Sequence, residues 1–149
     1  METYNFYIIS IIPPSCGNLM NKKMKESLRI LIVEDEQDIL TLYCDYLKNK
    51  GYKNISKYLS ADGIMEDIKT KFADIYILDY RLPGKNNGIE IAIEILNEWP
   101  SASILFITAY NSINLEILTH SSFKAKKVSV LVKPVKLLEI EHSIVRMLS

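Results

Sequence analysis

The chain has 149 residues, which is enough for one domain with a buried core and too few for two ordinary domains. Eighteen basic residues offset eighteen acidic ones, and this balance argues against nucleic-acid binding by the whole domain and against a polybasic membrane surface. The two cysteines form no CxxC motif, which argues against a disulfide framework or a zinc site. They favour a reducing compartment, so we expect a cytoplasmic protein.

Residues 1–26 differ in pattern from the rest, and we expect them to be a disordered tail or an over-long start. Tyr7–Ile12 is an apolar run that is too short to span a membrane, so no transmembrane segment is expected. Lys22, Lys23 and Lys25 follow this run, which reverses the order of charge and apolar residues in a secretory signal. A weak membrane-contacting role for the segment is left open.

From Leu28 onward, apolar runs alternate with segments of helical periodicity. The apolar runs predict five strands, at Leu28–Val33, Asn54–Leu59, Ile75–Leu78, Ile104–Ile107 and Val128–Val132. The periodic segments predict five helices, from Asp35 or Glu36 to Gly51, at Ala61–Lys71, from Ile89 to before Pro100, at Asn111–Ser122 and at Lys136–Met147. Strands that alternate with helices imply parallel β-α units, so the expected fold is α/β, a three-layer (βα)5 flavodoxin-like sandwich. The second strand is the most polar and is expected at an edge, which fits the strand order 2-1-3-4-5.

The spacing of apolar residues also predicts which face of each helix is buried. In the first helix the predicted stripe is Ile39, Leu42, Tyr43, Tyr46 and Leu47. In the last helix it is Leu137, Ile140, Ile144 and Leu148. No GxGxxG follows the first strand and no GxxxxGK[ST] occurs, so a nucleotide-binding function is disfavoured.

Chemically capable side chains stand where four of the predicted strands end. These are the pair Glu34 and Asp35, then Asp79, Thr108 and Lys133. Taken singly, each has an ordinary structural role as a helix cap, a turn former or a solvated strand end. Ligands of an open parallel sheet bind at the carboxyl ends of its strands, so we expect all five side chains in one small pocket.

Three carboxylates a few ångströms apart repel one another, and they are relieved by protonation, by an ion pair or by a bound cation. Oxygen ligands favour Mg²⁺, or Mn²⁺ in its place. A carboxylate beside such an ion can attack a phosphoryl group and form an acyl phosphate. An ammonium and a hydroxyl would then neutralise the remaining phosphoryl oxygens.

Four sequence blocks carry a resemblance to the response-regulator receiver-domain family of two-component signalling. They are Ile30–Glu36 (ILIVEDE), Ile77–Gly84 (ILDYRLPG), Phe106–Tyr110 (FITAY) and Val132–Pro134 (VKP), in the order that the family has. The resemblance covers the chain from about Leu28 to its end and implies a receiver domain at residues 27–149.

The resemblance implies that Asp79 is the phosphoacceptor. It implies a Mg²⁺ site in which Asp79 and Asp35 are direct ligands, the backbone carbonyl of Arg81 is another and Glu34 acts through water. The domain would then be no enzyme, apart from its own phosphorylation by a phosphodonor and a slow self-dephosphorylation.

Around the phosphoryl group, the resemblance implies that Thr108 and Lys133 bind oxygens and that Ala109 leaves room for them. Pro134 is expected to follow a cis peptide bond. Tyr110 and Val130 are expected to take part in the switch that follows phosphorylation.

Three features depart from the family pattern. The glycine that follows the phosphoacceptor loop comes one residue late, at Gly88. The basic stretch Lys124–Lys127 replaces a common Gly-Ala turn, either as a longer solvated loop or as a surface for an acidic partner. Val130 stands where the family usually has an aromatic residue that moves with Thr108, so the output mechanism is expected to differ.

The expected partners are a sensor histidine kinase or a phosphotransfer protein and an unidentified downstream protein. No direct contact with nucleic acid is expected from these residues, and a phosphorylation-dependent homodimer is considered. Three alternatives stay open: a binding module that is never phosphorylated, the N-terminal part of a longer transcriptional regulator, and a small phosphatase-like hydrolase. The hydrolase is disfavoured because Arg81 occupies the position where a second acid would be needed.

Overall fold

The structure is a computed structural model that describes residues 20–82, 87–109 and 116–149. Its centre is a sheet of five parallel strands, β1 (Arg29–Val33), β2 (Asn54–Tyr58), β3 (Ile75–Asp79), β4 (Ser103–Thr108) and β5 (Lys127–Val132). The strands lie in the order β2-β1-β3-β4-β5. The predicted flavodoxin-like order, with the polar second strand at an edge, is therefore confirmed.

The helices are α1 (Lys22–Ser27), α2 (Gln37–Asn49), α3 (Met65–Thr70), α4 (Gly88–Glu98), α5 with its described part at residues 116–119, and α6 (Leu137–Leu148). A short 3₁₀ helix, Ser121–Phe123, follows α5. Of the helix predicted at Asn111–Ser122, residues 111–115 lie outside the described residues. Among the helices of the described chain, none has the length and apolar character needed to cross a bilayer.

Local sequence explains where several helices begin and end. Gly51 has a φ of 100° directly after α2, as predicted for a glycine that ends a helix. The side chain of Asn87 caps α4 by accepting a hydrogen bond from the backbone N–H of Glu90, and the Glu90 carboxylate accepts one from the backbone N–H of Asn87. The helix predicted from Ala61 begins only at Met65, because the turn-forming residues before it favour a turn over a helical start.

Two apolar clusters cover the two faces of the sheet. One contains α2 and α6, with inward residues such as Leu40, Leu47 and Ile144. The other contains α3, α4 and the 3₁₀ helix, with Ile68 and Ile95. The described helices therefore form two outer layers around the sheet, in agreement with the predicted three-layer sandwich.

The predicted buried stripe of α2 was partly wrong. Leu42 is 52% exposed, whereas Leu40 and Cys44 are buried beside Tyr43 and Leu47. The buried residues follow one another at intervals of three and four from Leu40, and the predicted Ile39 and Tyr46 are partly buried beside them, so the prediction was wrong only at Leu42.

The stripe of α6 needs a similar correction. Leu137 and Leu148 are only partly buried, and Val145 and the charged Glu141 are buried in addition to the predicted Ile140 and Ile144.

Residues 20–26 are not the disordered tail that the sequence pattern suggested. Met20 is buried, and the Nζ of Lys25 donates a hydrogen bond of 2.9 Å to Oε1 of Glu141 on α6. The side chain of Asn54 donates to the carbonyl of Glu26 at 2.9 Å. Met20 is thus part of the core and Lys25 supplies a counter-charge to a buried carboxylate, a long-range pairing that sequence patterns do not reveal. Residues 1–19 lie outside the described part of the chain.

We predict that Gly88→Ala destabilises the domain. A Cβ at residue 88 would overlap the carbonyl oxygen of Asp79 and lie 2.9 Å from Cα of Tyr80, and neither backbone can move freely. Overpacking of this kind lowers the free energy of unfolding by about 1–3 kcal/mol. Urea unfolding measures the change.

Gly63→Ala is the matched control. Its Cβ would lie 3.6 Å from the ring of Tyr58, an ordinary contact, so an effect below about 0.5 kcal/mol is expected. Equal losses of stability in the two variants would contradict the steric explanation for Gly88.

Candidate functional site

The five side chains predicted at strand ends meet at the carboxyl edge of the sheet. Glu34 and Asp35 follow β1, Asp79 ends β3, Thr108 ends β4 and Lys133 follows β5. They surround a cleft of about 230 Å³, lined by Asp35, Glu36, Asp79, Arg81, Thr108, Ala109 and Lys133. Glu34 is not among the residues that line the cleft, but its carboxylate contacts Lys133, which is.

An ion pair of one ammonium with two carboxylates forms the base of the cleft. The Nζ of Lys133 lies 3.0 Å from Oδ2 of Asp79 and 3.2 Å from Oε2 of Glu34. The second oxygen of each carboxylate accepts a backbone N–H: that of Arg81 at 3.1 Å for Asp79, and that of Glu36 at 3.2 Å for Glu34. The hydrogen bonds hold both carboxylates in a defined orientation, and the ammonium of Lys133 opposes their negative charge.

Three carboxylates share this site. Oxygens of Glu34, Asp35 and Asp79 lie within 4.8 Å of one another. Burial of Glu34, which is 1% exposed, together with the charge of Asp79 raises the pKa of Glu34 to about 7. One ammonium therefore does not fully compensate the negative charge of the cluster.

The same charges act on Lys133 in the opposite sense. Burial alone would lower the pKa of its ammonium, but the hydrogen bond and charge of Asp79 and the charge of Glu34 outweigh it. The pKa of Lys133 is raised, and the side chain stays cationic at neutral pH.

The strands β4 and β5 place the hydroxyl and the ammonium on neighbouring chain ends. Thr108 is buried and lies opposite Val132 in the parallel register. The backbone N–H of Lys133 donates to the carbonyl of Thr108 at 2.7 Å. The peptide bond between Lys133 and Pro134 is cis, as expected. Ala109, exposed and small, lines the cleft beside Thr108.

Val130, one of the residues assigned to the switch, stands apart from the cleft lining. Val130 is buried in the apolar cluster under α4 and pairs in register with Phe106. Phe123 packs its ring 5.8 Å from that of Phe106, so an aromatic side chain does fill this region, supplied by the 3₁₀ helix. Tyr110 lies outside the described residues.

Sequence reasoning missed Glu36 as part of the cleft. It was assigned only to the start of α2, yet the residue lines the cleft, and its side chain makes no capping hydrogen bond to the helix. The signal was its position directly after the Glu34–Asp35 pair, in a loop that must turn over the carboxyl end of β1.

Comparisons with known proteins agree with this fold and site. The sequence model of the response regulator receiver domain matches residues 30–145, so the chain belongs to this family. Transcriptional regulatory protein YvrH of Bacillus subtilis is 34% identical over 87 residues, covering 58% of this chain and 36% of that protein. Transcriptional regulatory protein RprY of Bacteroides fragilis is 30% identical over 121 residues, covering 81% of this chain and 49% of that protein. The chain thus spans half or less of the length of either relative.

Solved structures give the same result. The response regulator TrrA of Thermotoga maritima, solved in complex with Mg²⁺ and a beryllium fluoride group, aligns with a TM-score of 0.69 and 28% identity over 80% of this chain and 98% of that one. A CheY-like receiver domain protein from Methanospirillum hungatei aligns with a TM-score of 0.71 at 23% identity, over 81% of this chain and 93% of that one. The second likeness bears on the fold alone.

We predict that Lys133→Met destabilises the domain most at high pH. Without the ammonium, the carboxylates of Glu34 and Asp79 face each other without compensation, and the loss is about 1–3 kcal/mol at pH 8 after allowance for partial exposure. The pKa of Glu34 then rises further, so the folded state takes up a proton that the unfolded chain does not hold. The loss in free energy of unfolding relative to the wild type should therefore become smaller as the pH falls from 8 to 5.

Urea unfolding in the presence of a chelator measures this effect. Lys124→Met, which removes an exposed lysine outside the cleft, is the control and should change stability little at either pH. A deficit of Lys133→Met that stays constant with pH would contradict the electrostatic explanation.

Proposed function

We propose that this chain is a phosphorylation-dependent signalling switch that accepts a phosphoryl group onto Asp79. The donor is a phosphohistidine of a sensor histidine kinase or of a phosphotransfer protein. The observation that supports this most directly is the Asp79 carboxylate, held between the Lys133 ammonium and the Arg81 N–H beside two further carboxylates. Membership in the receiver-domain family supports it independently.

The donor set fits a divalent cation such as Mg²⁺ or Mn²⁺. Glu34, Asp35 and Asp79 offer carboxylate oxygens, which these ions prefer, and the cluster carries more negative charge than Lys133 neutralises. We propose that Asp35 and Asp79 bind the ion directly, with the carbonyl of Arg81, and that Glu34 acts through water. When bound, the ion would neutralise charge on the phosphoryl oxygens and lower the repulsion that an approaching anion meets.

In the transfer step, an oxygen of Asp79 forms a bond to phosphorus as the N–P bond of the donor breaks. The electron pair of that bond returns to the imidazole nitrogen of the donor. The backbone N–H of Arg81 and the ammonium of Lys133 hold the carboxylate in place for this attack. Lys133 and the hydroxyl of Thr108 then bind oxygens of the phosphoryl group, and Ala109 leaves space beside them.

Output follows from a population shift between two packings of the domain. The added negative charge is bound by Lys133 and Thr108 in only one of them, and a shift from mostly off to mostly on needs about 3–5 kcal/mol of differential binding. We propose that the response is passed on through protein contacts, including a phosphorylation-dependent homodimer. Val130 stands where the family usually has an aromatic switch residue, so phosphorylation would be coupled to the output through other residues.

We predict that Asp79→Asn abolishes stable labelling by a small phosphodonor in the presence of Mg²⁺. The amide cannot form the acyl phosphate, so incorporated phosphate should fall to background. Intact-mass spectrometry measures the incorporated group, and a urea-unfolding curve confirms that the variant is folded. Labelling at the wild-type level in a folded variant would show that Asp79 is not the acceptor.

We predict that Asp35→Asn lowers the affinity for Mg²⁺ by about tenfold or more, because it removes a charged ligand oxygen. Isothermal titration calorimetry measures the dissociation constant without any phosphodonor. Asp38→Asn removes an equal charge from the first turn of α2, outside the carboxylate cluster, and should change the affinity by less than about threefold. Equal losses in the two variants would contradict the assignment of Asp35 as a ligand.

A further inference from the structure

A short loop at the start of β5 carries three lysines whose charge is not compensated. The loop consists of Lys124, Ala125, Lys126 and Lys127, and we name it the basic loop. All three lysines are exposed, and none of them makes an ion pair within the described residues. Lys133, by contrast, is held by two carboxylates. The basic loop is therefore a concentrated positive charge that a partner can reach.

The backbone of the basic loop has a defined conformation. The N–H of Lys124 donates to the carbonyl of Ser121 at 3.3 Å, and the N–H of Lys126 donates to the carbonyl of Phe123 at 3.0 Å. Ala125 has a φ of 60°, in the left-handed region that residues other than glycine rarely adopt. Such a conformation persists only where the surrounding structure holds it, so the lysines extend from a fixed turn.

Both ends of the basic loop are attached to the core. Before the loop, the ring of Phe123 is buried and lies 5.8 Å from the ring of Phe106 on β4. At its end, Lys127 is the first residue of β5 and lies opposite Ser103 of β4 in the parallel register. A partner would therefore meet lysines whose backbone is already ordered, and this order lowers the entropy cost of binding.

The basic loop and the phosphorylation cleft lie at opposite ends of β5. The strand begins at Lys127 and ends at Val132, directly before Lys133 of the cleft. At about 3.3 Å per residue, the strand separates the two by about 16 Å. A partner on the basic loop would therefore leave the cleft open to a phosphodonor.

The charge of the basic loop fits a segment of a protein that is rich in carboxylates. An extended chain places every second side chain on one side, about 7 Å apart, so alternating acidic residues can reach lysines along a short loop. The lysine ammonium is a compact charge on a flexible stem, so it pairs with a single carboxylate without a fixed planar geometry. Opposite charges of this kind attract the two surfaces before they touch.

Two other anionic partners fit the basic loop less well. Binding of single-stranded nucleic acid combines basic side chains with exposed aromatic rings, whereas the loop has no arginine and the adjoining ring of Phe123 is buried. Stable binding to a membrane surface commonly joins a basic patch to an apolar insertion. The largest apolar group within the loop is the methyl group of Ala125.

We propose that the basic loop is a docking surface for an acidic, extended segment of a partner protein. Carboxylates of that segment pair with Lys124, Lys126 and Lys127, at the end of the sheet remote from Asp79. The docking does not depend on the phosphoryl chemistry, so a failure of labelling at Asp79 and a failure of docking are separate results.

Fluorescence anisotropy of the full chain with a labelled peptide tests the proposal. The probe is a fluorescein-labelled decapeptide of alternating glutamate and serine, and the control peptide has glutamine in place of each glutamate. The acidic peptide should bind at low salt and more weakly as salt is raised, and the glutamine peptide should bind about tenfold more weakly. Absence of binding by the acidic peptide at low salt would overturn the proposal.

The double variant Lys124→Gln/Lys126→Gln identifies the surface involved. Each exposed ion pair contributes about two- to threefold in affinity, so this variant should bind the acidic peptide about fivefold more weakly. Lys22→Gln/Lys23→Gln is the matched control, because it removes two exposed lysines and the same net charge from α1.

The control variant should change the affinity by less than about twofold, because Glu26 of α1 contacts β2, at the other edge of the sheet from β5. Circular dichroism confirms that both double variants are folded. Equal losses of affinity in the two would mean that only net charge matters, and the docking surface would then be wrongly assigned.

Two further measurements test the position of the surface and the class of partner. Titration of the nitrogen-15-labelled chain with the acidic peptide should shift the amide signals of residues 120–128 most. The largest shifts on α1 or around the cleft would contradict the proposed position. Tighter binding of a DNA duplex or of anionic lipid vesicles than of the peptide, with the same loss in Lys124→Gln/Lys126→Gln, would overturn the assignment to a protein segment.

Discussion

The structure depends on the ion pair that Lys133 makes with Asp79 and Glu34. Three carboxylates at the end of one sheet would repel one another and open the site if no cation stood among them. Lys133 reaches them only because β5 and β4 end side by side and β4 lies next to β3. The acidic cluster therefore has its counter-ion only with this order of strands. A change in the order of the strands would leave a half-buried carboxylate cluster without its counter-ion.

The sequence predicted the site because its residues stand at strand ends, and strand ends are recognisable from buried apolar runs such as Ile75–Leu78. It predicted less where packing depends on contacts distant in the chain. In α2 the prediction was wrong at Leu42 and missed Leu40, because both fit a periodic pattern almost equally well and only contact with the sheet decides between them. Helix α1 was missed because its stabilising partner, Glu141, lies at the other end of the chain.

The aromatic residue that sequence comparison expects on β5 has a counterpart elsewhere in the fold. Val130 and Phe106 belong to the same buried cluster as Phe123 of the 3₁₀ helix that precedes β5, and the rings of Phe106 and Phe123 lie 5.8 Å apart. The ring of His120 lies 5.1 Å from that of Phe123. A ring at residue 123 is tied to the loop before β5, and not to the strand that ends at Lys133. In the proposed switch, a movement of Thr108 would reach this region through β4, on which Phe106 and Thr108 point to the same side of the sheet.

The net charge of zero is a poor guide to the electrostatics of this domain. Glu34, Asp35 and Asp79 stand at the carboxyl ends of β1 and β3, around the cleft, whereas several lysines lie on α1 and at the end of α2, away from that cleft. Balanced charges that are separated over the length of a domain give it a dipole, and each end keeps the field of its own sign within a Debye length. The function proposed above depends on the field at the carboxyl end of the sheet, where the proposed cation and phosphoryl donor would bind. Composition sums over the whole chain, whereas binding depends on charges that the fold brings within a few ångströms of one another.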